Sequence, residues 1–161
     1  MIVKWYKGTG FLSRRKSTNK ELIKCKKGGT PYLYLFEKYQ NKFQLNDSFS
    51  YGAFEKGELV GIITLYEERL YKLRHRAYIG AMYVSDSIRG LGIGKALMGE
   101  VIEKAKNIEG LEQVYLAVVS TNESVKKLNS SLGFEVSGTK KKGLMLKSNI
   151  YFDVEFTILY L

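Results

Sequence analysis

The stretch VSDSIRGLGIGKAL (residues 84–97) sets three glycines alternating with Leu91 and Ile93 between Arg89 and Lys95. It follows an apolar run that reads as a strand and opens a helical stripe. In that context backbone N–H groups and the positive end of a helix dipole collect an anion. Three phosphate loops compete for it. A Walker loop requires glycine where Arg89 stands and Ser or Thr where Ala96 stands, so the pattern fails at both ends. A dinucleotide fingerprint starting at Gly90 requires its third glycine at Lys95, and the chain lacks the repeated strand–helix units of a doubly wound sheet. What remains is an arginine followed by Gly-x-Gly-x-Gly, a few residues after a strand that ends in valine.

Working outward, AYIGAMYV (residues 77–84) reads as the strand that delivers the loop. Downstream, Leu97, Val101, Ala105 and Ile108 form one apolar stripe on a helix over residues 95–107. QVYLAVVS is a nearly all-apolar strand of the kind covered on both faces. NESVKKLNSSL predicts a short helix capped by Asn122 and stopped by Gly133. Upstream, SYGAFEKGELVGIITLYEERL predicts a hairpin turning at Lys56, Gly57 and Glu58. Leu35, Tyr39 and Phe43 recur at helical spacing and predict a helix over residues 31–43. At the end, YFDVEFTILYL predicts a last strand, with Phe152, Val154, Phe156, Ile158 and Tyr160 alternating. Before Pro31 the chain is a poorly patterned basic segment. The sum is a mixed α/β sheet.

The chain has 161 residues, 45% of them hydrophobic, the size and composition of one domain with one core. It has no apolar run of membrane-spanning length and no signal-peptide core near its start, so a cytoplasmic location and no membrane partner are expected. Cys25 is the only cysteine and His75 the only histidine, which makes a zinc site unexpected. His75 reads as a turn residue. The net charge is +10, yet residues 1–30 hold nine Lys or Arg against one acid and the remainder is nearly balanced. That local excess is most simply a solvated face, and nucleic acid is not an expected partner on charge alone.

The loop with its downstream companion resembles the GNAT superfamily of N-acetyltransferases, in the manner of its small bacterial members. That family's signature is Gln or Arg, two residues, Gly, one residue, then Gly or Ala, matched by Arg89, Gly92 and Gly94. Its next motif runs Asn, two residues, a small residue, two residues, Leu-Tyr, three residues, Gly-Phe. NESVKKLNSSLGF supplies Asn122, Leu128, Gly133 and Phe134 at the expected separation. The resemblance covers roughly residues 50–161, and residues 1–49 would be the variable, acceptor-side part of a single domain.

The resemblance implies the family's fold, a mixed central sheet with helices on both faces, splayed near residues 81–84. It also implies acetyl-CoA as cosubstrate, an amine acceptor as partner, and no metal; a homodimer is compatible with it. Gly90, Leu91, Gly92, Ile93, Gly94 and Lys95, with Arg89, would cradle the pyrophosphate. Met82, Tyr83 and Val84 would pair through their main chain with the pantetheine arm, as an added strand does. Asn122 and Asn129 would reach the thioester end.

Two departures stand out. Asn129 occupies the position where many members carry a tyrosine that protonates the departing thiolate, and an amide has no proton to give up. Ala117 stands where the branch acting on protein amino termini carries a glutamate, which points away from that branch. The candidate catalytic residues are therefore Asn129, with Glu67 (or its neighbour Glu68) and Tyr78 for the amine's proton. Tyr32, Tyr34 and Tyr39 are candidates for the acceptor site. The expected function is acetyl transfer to a primary amine of a small molecule or protein. A non-catalytic acyl-CoA-binding module is the alternative, and a nucleic-acid-associated protein a third reading.

Overall fold

The computed structural model describes residues 2–7, 48–55, 58–145 and 149–161. Its strands are β1 (Ile2–Lys7), β2 (Ser48–Glu55), β3 (Glu58–Glu67), β4 (Arg76–Val84), β5 (Gln113–Val119), β6 (Glu135–Met145) and β7 (Tyr151–Tyr160). Two helices, α1 (Ile93–Lys106) and α2 (Glu123–Ser131), complete the described elements. The seven strands form one sheet in the order β1-β2-β3-β4-β5-β7-β6. β4 and β5 run parallel, and every other neighbouring pair is antiparallel. A parallel pair needs a crossover, and α1 supplies it.

The core lies between the sheet and the two helices. From α1, Ile93, Leu97, Met98, Val101, Ile102 and Ala105 are buried. They meet Ile63 and Leu65 of β3, Ala77 and Ile79 of β4, and Val114, Leu116 and Val118 of β5 in one cluster. Each large aliphatic side chain so buried contributes about 1.5–3 kcal/mol. Val125, Leu128 and Leu132 of α2 pack against the same cluster, so both described helices share this face. The helix expected over residues 31–43, with Tyr32, Tyr34 and Tyr39, lies outside the described residues, as do Cys25 and the Lys56–Gly57 turn.

Several boundaries follow their predicted chemistry. α1 starts two residues before Lys95 because Gly92, at φ +79°, turns the chain into it. Asn122 caps α2, its Oδ1 accepting from the Val125 N–H at 3.3 Å. α2 ends in a Schellman turn at Gly133 (φ +87°), where Phe134 N–H donates to the Asn129 carbonyl and Gly133 N–H to that of Ser130. β1 was not legible in the basic amino-terminal segment: Ile2–Lys7 pairs antiparallel with β2, a partner far away in sequence.

β4 controls the geometry of the site. Its parallel ladder with β5 has only three rungs, Arg76–Gln113, Ala77–Val114 and Tyr78–Tyr115. From residue 79 onward the two strands part, two residues earlier than the splay expected at 81. The ladder to β3 also slips within this stretch, between Ile62 and Thr64 of β3, and Ala81 adopts φ +51°. A bulge of this kind bends the strand out of line with its neighbour.

Candidate active site

At the upper end of the fork, the loop after β4 is shaped by the backbone. Gly90 (φ +81°) and Gly92 (φ +79°) are both left-handed, and a Cβ at either would meet nothing within 4 Å. Their glycines answer to conformation, not to crowding. Ile88 and Ile93 are buried and pin the loop to the core at both ends, while Leu91 between them is 70% exposed. Among the described residues, the backbone N–H groups of residues 90–95 have no hydrogen-bond acceptor, and the first internal bond of α1 is Ala96 N–H to the Gly92 carbonyl. Six consecutive donors at a helix N-terminus, with no side-chain cap, are the donor set a diphosphate requires.

Two of the predicted loop residues have a different local job. Arg89 folds back, donating from Nε to the Val84 carbonyl at 3.1 Å and pairing with Asp86 at 2.6 Å, so it closes the turn that aims the loop. A Cβ on Gly94 would meet Met82 Cε at 3.2 Å and Leu128 Cδ2 at 3.4 Å. The third glycine therefore lets α1 lie close to β4 and α2. Lys95 stays exposed in the first turn of α1.

Asn129 sits at 1% exposure on the sheet-facing side of α2, and neither its Oδ1 nor its Nδ2 has a hydrogen-bond partner. A buried amide orphaned at both ends is costly, which is the expected state for a group whose partners arrive with a ligand. Asn122 is exposed. Its Oδ1 is spent on the cap. Lys126 anchors this helix start, reaching the Ser120 carbonyl at 3.2 Å and Glu155 at 3.2 Å.

The lower end of the fork is built from side chains on the face away from α1 and α2. Tyr66, Tyr78 and Tyr115 are partners across neighbouring strands and form a row, with ring centroids 6.3 Å and 5.2 Å apart. The Tyr78 and Tyr66 rings lean over Gly80, whose Cβ would stand 2.8 Å and 3.2 Å from them. This brings both rings over the first unpaired residues of the fork. At the bottom of the row, Tyr115 Oη donates to Glu68 Oε1, and Arg76 Nη2 faces the same oxygen at 3.5 Å. The Arg76 guanidinium also lies over the Tyr115 ring, 5.1 Å from its centroid.

Burial pushes the phenols of Tyr66 and Tyr78 up. Burial first, then the Glu68 hydrogen bond and charge, carries Tyr115 to about 12. All three are neutral near pH 7, so Tyr78 presents a hydrogen-bond donor and no base there. Strand alternation puts Glu67 on the helix-side face with Leu65, whereas Glu68 joins the tyrosine row. The structure thus ties Glu68 into the tyrosine row through Tyr115, and Glu67 stands on the other side of the strand. Arg76 and Tyr115 were not singled out in the sequence, where nothing local marks them. Ala117 lies on the tyrosine side of β5, beyond the last paired rung. The His75 carbonyl accepts from Glu112 N–H at 2.8 Å and Gln113 N–H at 3.2 Å, a turn role as read. Among the described residues, no group of three or more His, Cys, Asp or Glu side chains is placed to hold a metal ion. None of their helices is long and apolar enough to cross a membrane.

Residues 17–134 match the model of the Acetyltransferase (GNAT) family. Over 100 residues the chain is 30% identical to the L-amino acid N-acetyltransferase AaaT of Escherichia coli, covering 62% of this chain and 60% of that protein. Over 82 residues it is 33% identical to the L-methionine sulfoximine/L-methionine sulfone acetyltransferase of Pseudomonas aeruginosa, covering 51% of this chain and 47% of that protein. The matches therefore span about half to three fifths of those relatives' lengths. The fold is that of YncA from Salmonella typhimurium, solved with its cofactor acetyl-CoA: TM-score 0.68, 22% identity, 80% of this chain and 73% of that one.

Proposed function

The chain belongs to the GNAT acetyltransferase family, and from that premise we propose that it moves an acetyl group from acetyl-CoA to the primary amine of a small molecule. The observation that carries this reading is the run of six unpartnered N–H groups at residues 90–95, set at the mouth of the β4–β5 fork. The relatives whose names specify amino acids or their analogues support a small acceptor.

Acetyl-CoA supplies the acetyl group as a thioester, which an amine can attack directly. The residues divide the remaining work. The N–H groups of Gly90, Leu91, Gly92, Ile93, Gly94 and Lys95 bind the pyrophosphate, and Arg89 fixes the turn that presents them. Met82, Tyr83 and Val84, released from β5 by the fork, offer their main chain to the pantetheine arm. Asn122, whose Oδ1 is spent on the cap, has its amide Nδ2 left to offer the same arm. The new C–N bond forms at the thioester carbonyl as the C–S bond breaks; the nitrogen must lose a proton and the thiolate gain one.

A free lysine-type amine titrates near about 10.4, so only about one in 2,500 is neutral at pH 7. Glu68, on the tyrosine side of the sheet, can receive its proton through water, and Tyr78 can donate a hydrogen bond beside the fork; Glu67, on the other face, is the less direct candidate. Asn129 cannot transfer a proton, but its Nδ2 can hydrogen-bond the departing sulfur and its Oδ1 can hold a water that does.

Thermal-shift and calorimetric binding of acetyl-CoA against ATP and NAD tests the first half, and coenzyme A release with a panel of amines tests the second. Stabilisation by acetyl-CoA alone, followed by thiol release, is the expected result. Asn129 in place of a titratable acid favours one second reading, a module that binds acyl-CoA without turnover. Binding with no release for any amine would establish it.

A further inference from the structure

Building on the acetyl-transfer reading, we propose that the acceptor is an aromatic primary amine with no charge besides its amine, and that Ala117 sets the room for its ring. The β4–β5 ladder ends at the Tyr78–Tyr115 rung. Two residues further along, on the same face of the sheet, each arm of the fork carries a very small residue, Gly80 on β4 and Ala117 on β5. Beside them, Thr64 of β3 pairs with Gly80, and Phe156 of β7 pairs with Ala117. An acceptor reaches the fork from this face, because the opposite face is filled by Ile79, Leu116 and Val118 in the core under the two helices.

The row is walled by rings. Tyr66 and Tyr78 close over Gly80, whose Cβ would stand 3.2 Å and 2.8 Å from them. Across the fork Ala117 offers only a methyl group, and Phe156 next to it is 37% exposed. The opening over Ala117 is therefore bounded by tyrosine on one side and phenylalanine on the other. A flat apolar group laid there covers Phe156 and meets the tyrosines in the offset or edge-on contacts that rings favour. The same ring faces attract an ammonium before it gives up its proton.

Charge is what this face lacks. Thr64, Gly80, Ala117 and Phe156 form one uncharged row across the four strands, and Tyr66, Tyr78, Tyr115 and Ile158 form the next. Charges begin below them, where Arg76 and Glu68 lie 3.5 Å apart, and the Glu68 oxygen that faces Arg76 also accepts from Tyr115. That pair offsets itself. A second ammonium or a carboxylate on the acceptor would leave water and meet no unpaired counter-charge in these rows, a cost that a neutral ring does not incur.

Matched acceptors test this on the full chain. Coenzyme A release is followed with phenethylamine against ethylamine, which lacks the ring, against phenylalanine, which adds a carboxylate, and against 1,4-diaminobutane, which adds a second amine. The expected kcat/KM is about 10- to 100-fold higher for phenethylamine than for ethylamine, the range for burying one large apolar group, and also higher than for the two doubly charged acceptors. A117L fills the opening and brings the phenethylamine-to-ethylamine ratio close to one. Each ratio compares two substrates on one protein, so a partly misfolded variant does not distort it; if A117L does not fold, F156A removes the other wall and lowers the ratio severalfold. Calorimetry gives a second readout: N-acetylphenethylamine binds the coenzyme A-loaded protein more tightly than N-acetylethylamine, and A117L abolishes the difference. A wild-type ratio near one, faster release with phenylalanine or 1,4-diaminobutane, or a ratio undiminished in the variant overturns the acceptor class and leaves acetyl transfer standing. Bound acetyl-CoA with no release for any amine overturns both.

Discussion

The two ends of the β4–β5 fork do their work with different parts of the chain. The loop end uses backbone: two left-handed glycines, six unpartnered N–H groups, and buried Ile88 and Ile93 to hold them. The tyrosine end uses side chains from three strands, and its tightest link joins Tyr115 to Glu68 across 47 positions. A backbone site must be contiguous, because its donors are neighbours on one turn, so it leaves a motif. A side-chain site needs only strands brought into register, and its residues can be scattered.

The largest expected effect falls on the loop. Gly92→Glu places a carboxylate beside the proposed pyrophosphate position on a backbone at φ +79°, and should remove the thermal shift by acetyl-CoA altogether. A variant that is still stabilised would show that the loop is not where the cosubstrate binds, and the contrast between the two ends would collapse. Next comes Asn129→Leu, on the buried face of α2. Replacing a buried amide orphaned at both atoms should raise stability in urea, by up to about 1–3 kcal/mol, while kcat/KM for acetyl transfer falls. A loss of stability instead would mean that the amide is paired within the folded protein.

A smaller contrast lies within the loop. Gly92→Ala meets open space but must hold a left-handed backbone, costing about 1–2 kcal/mol. Gly94→Ala has an ordinary helical backbone and meets only the flexible ends of Met82 and Leu128, so its stability should change by less than about 1 kcal/mol. Equal losses would mean that crowding, not conformation, governs both positions.

The smallest effect is alkaline. Tyr51, raised to about 12 mainly by burial and then by Glu100, and Tyr115, raised to about 12 by burial and then Glu68, both sit above the ordinary value of 10.0. The folded protein thus holds protons that the unfolded chain releases, so the contribution is complete below pH 10 and is lost as pH rises toward 12. Tyr115→Phe should flatten that loss by up to about one proton in stability measured against pH, and Tyr51→Phe should do the same from the helix-side face. An unchanged slope in Tyr115→Phe would mean that its phenol titrates normally and is not held by Glu68.

Much of the fold was legible. Leu97, Val101 and Ala105 kept their stripe and are fully buried, because a helix packed on a sheet must repeat its apolar face every three to four residues. β1 was missed because Ile2–Lys7 becomes a strand by pairing with β2, and its own residues carry no such instruction. In β7, Phe156 and Tyr160 are exposed and Thr157 is buried, which alternation alone does not predict, since it fixes two faces without saying which is covered.

By itself, the sequence determined what is local in the chain: a glycine turn that opens a helix, a helix that Asn122 caps and Gly133 ends, and a loop whose spacing fits neither of the two commoner nucleotide patterns. Tertiary structure decided that Gly94 serves packing, that Glu68 rather than Glu67 joins the tyrosine row through Tyr115, and that Arg76 lies against both with Nε unsatisfied. The physical reason is range. Dihedral preferences and caps act within a few residues, whereas the partner of a strand, and the face on which its side chains gather, is fixed only when distant segments pair.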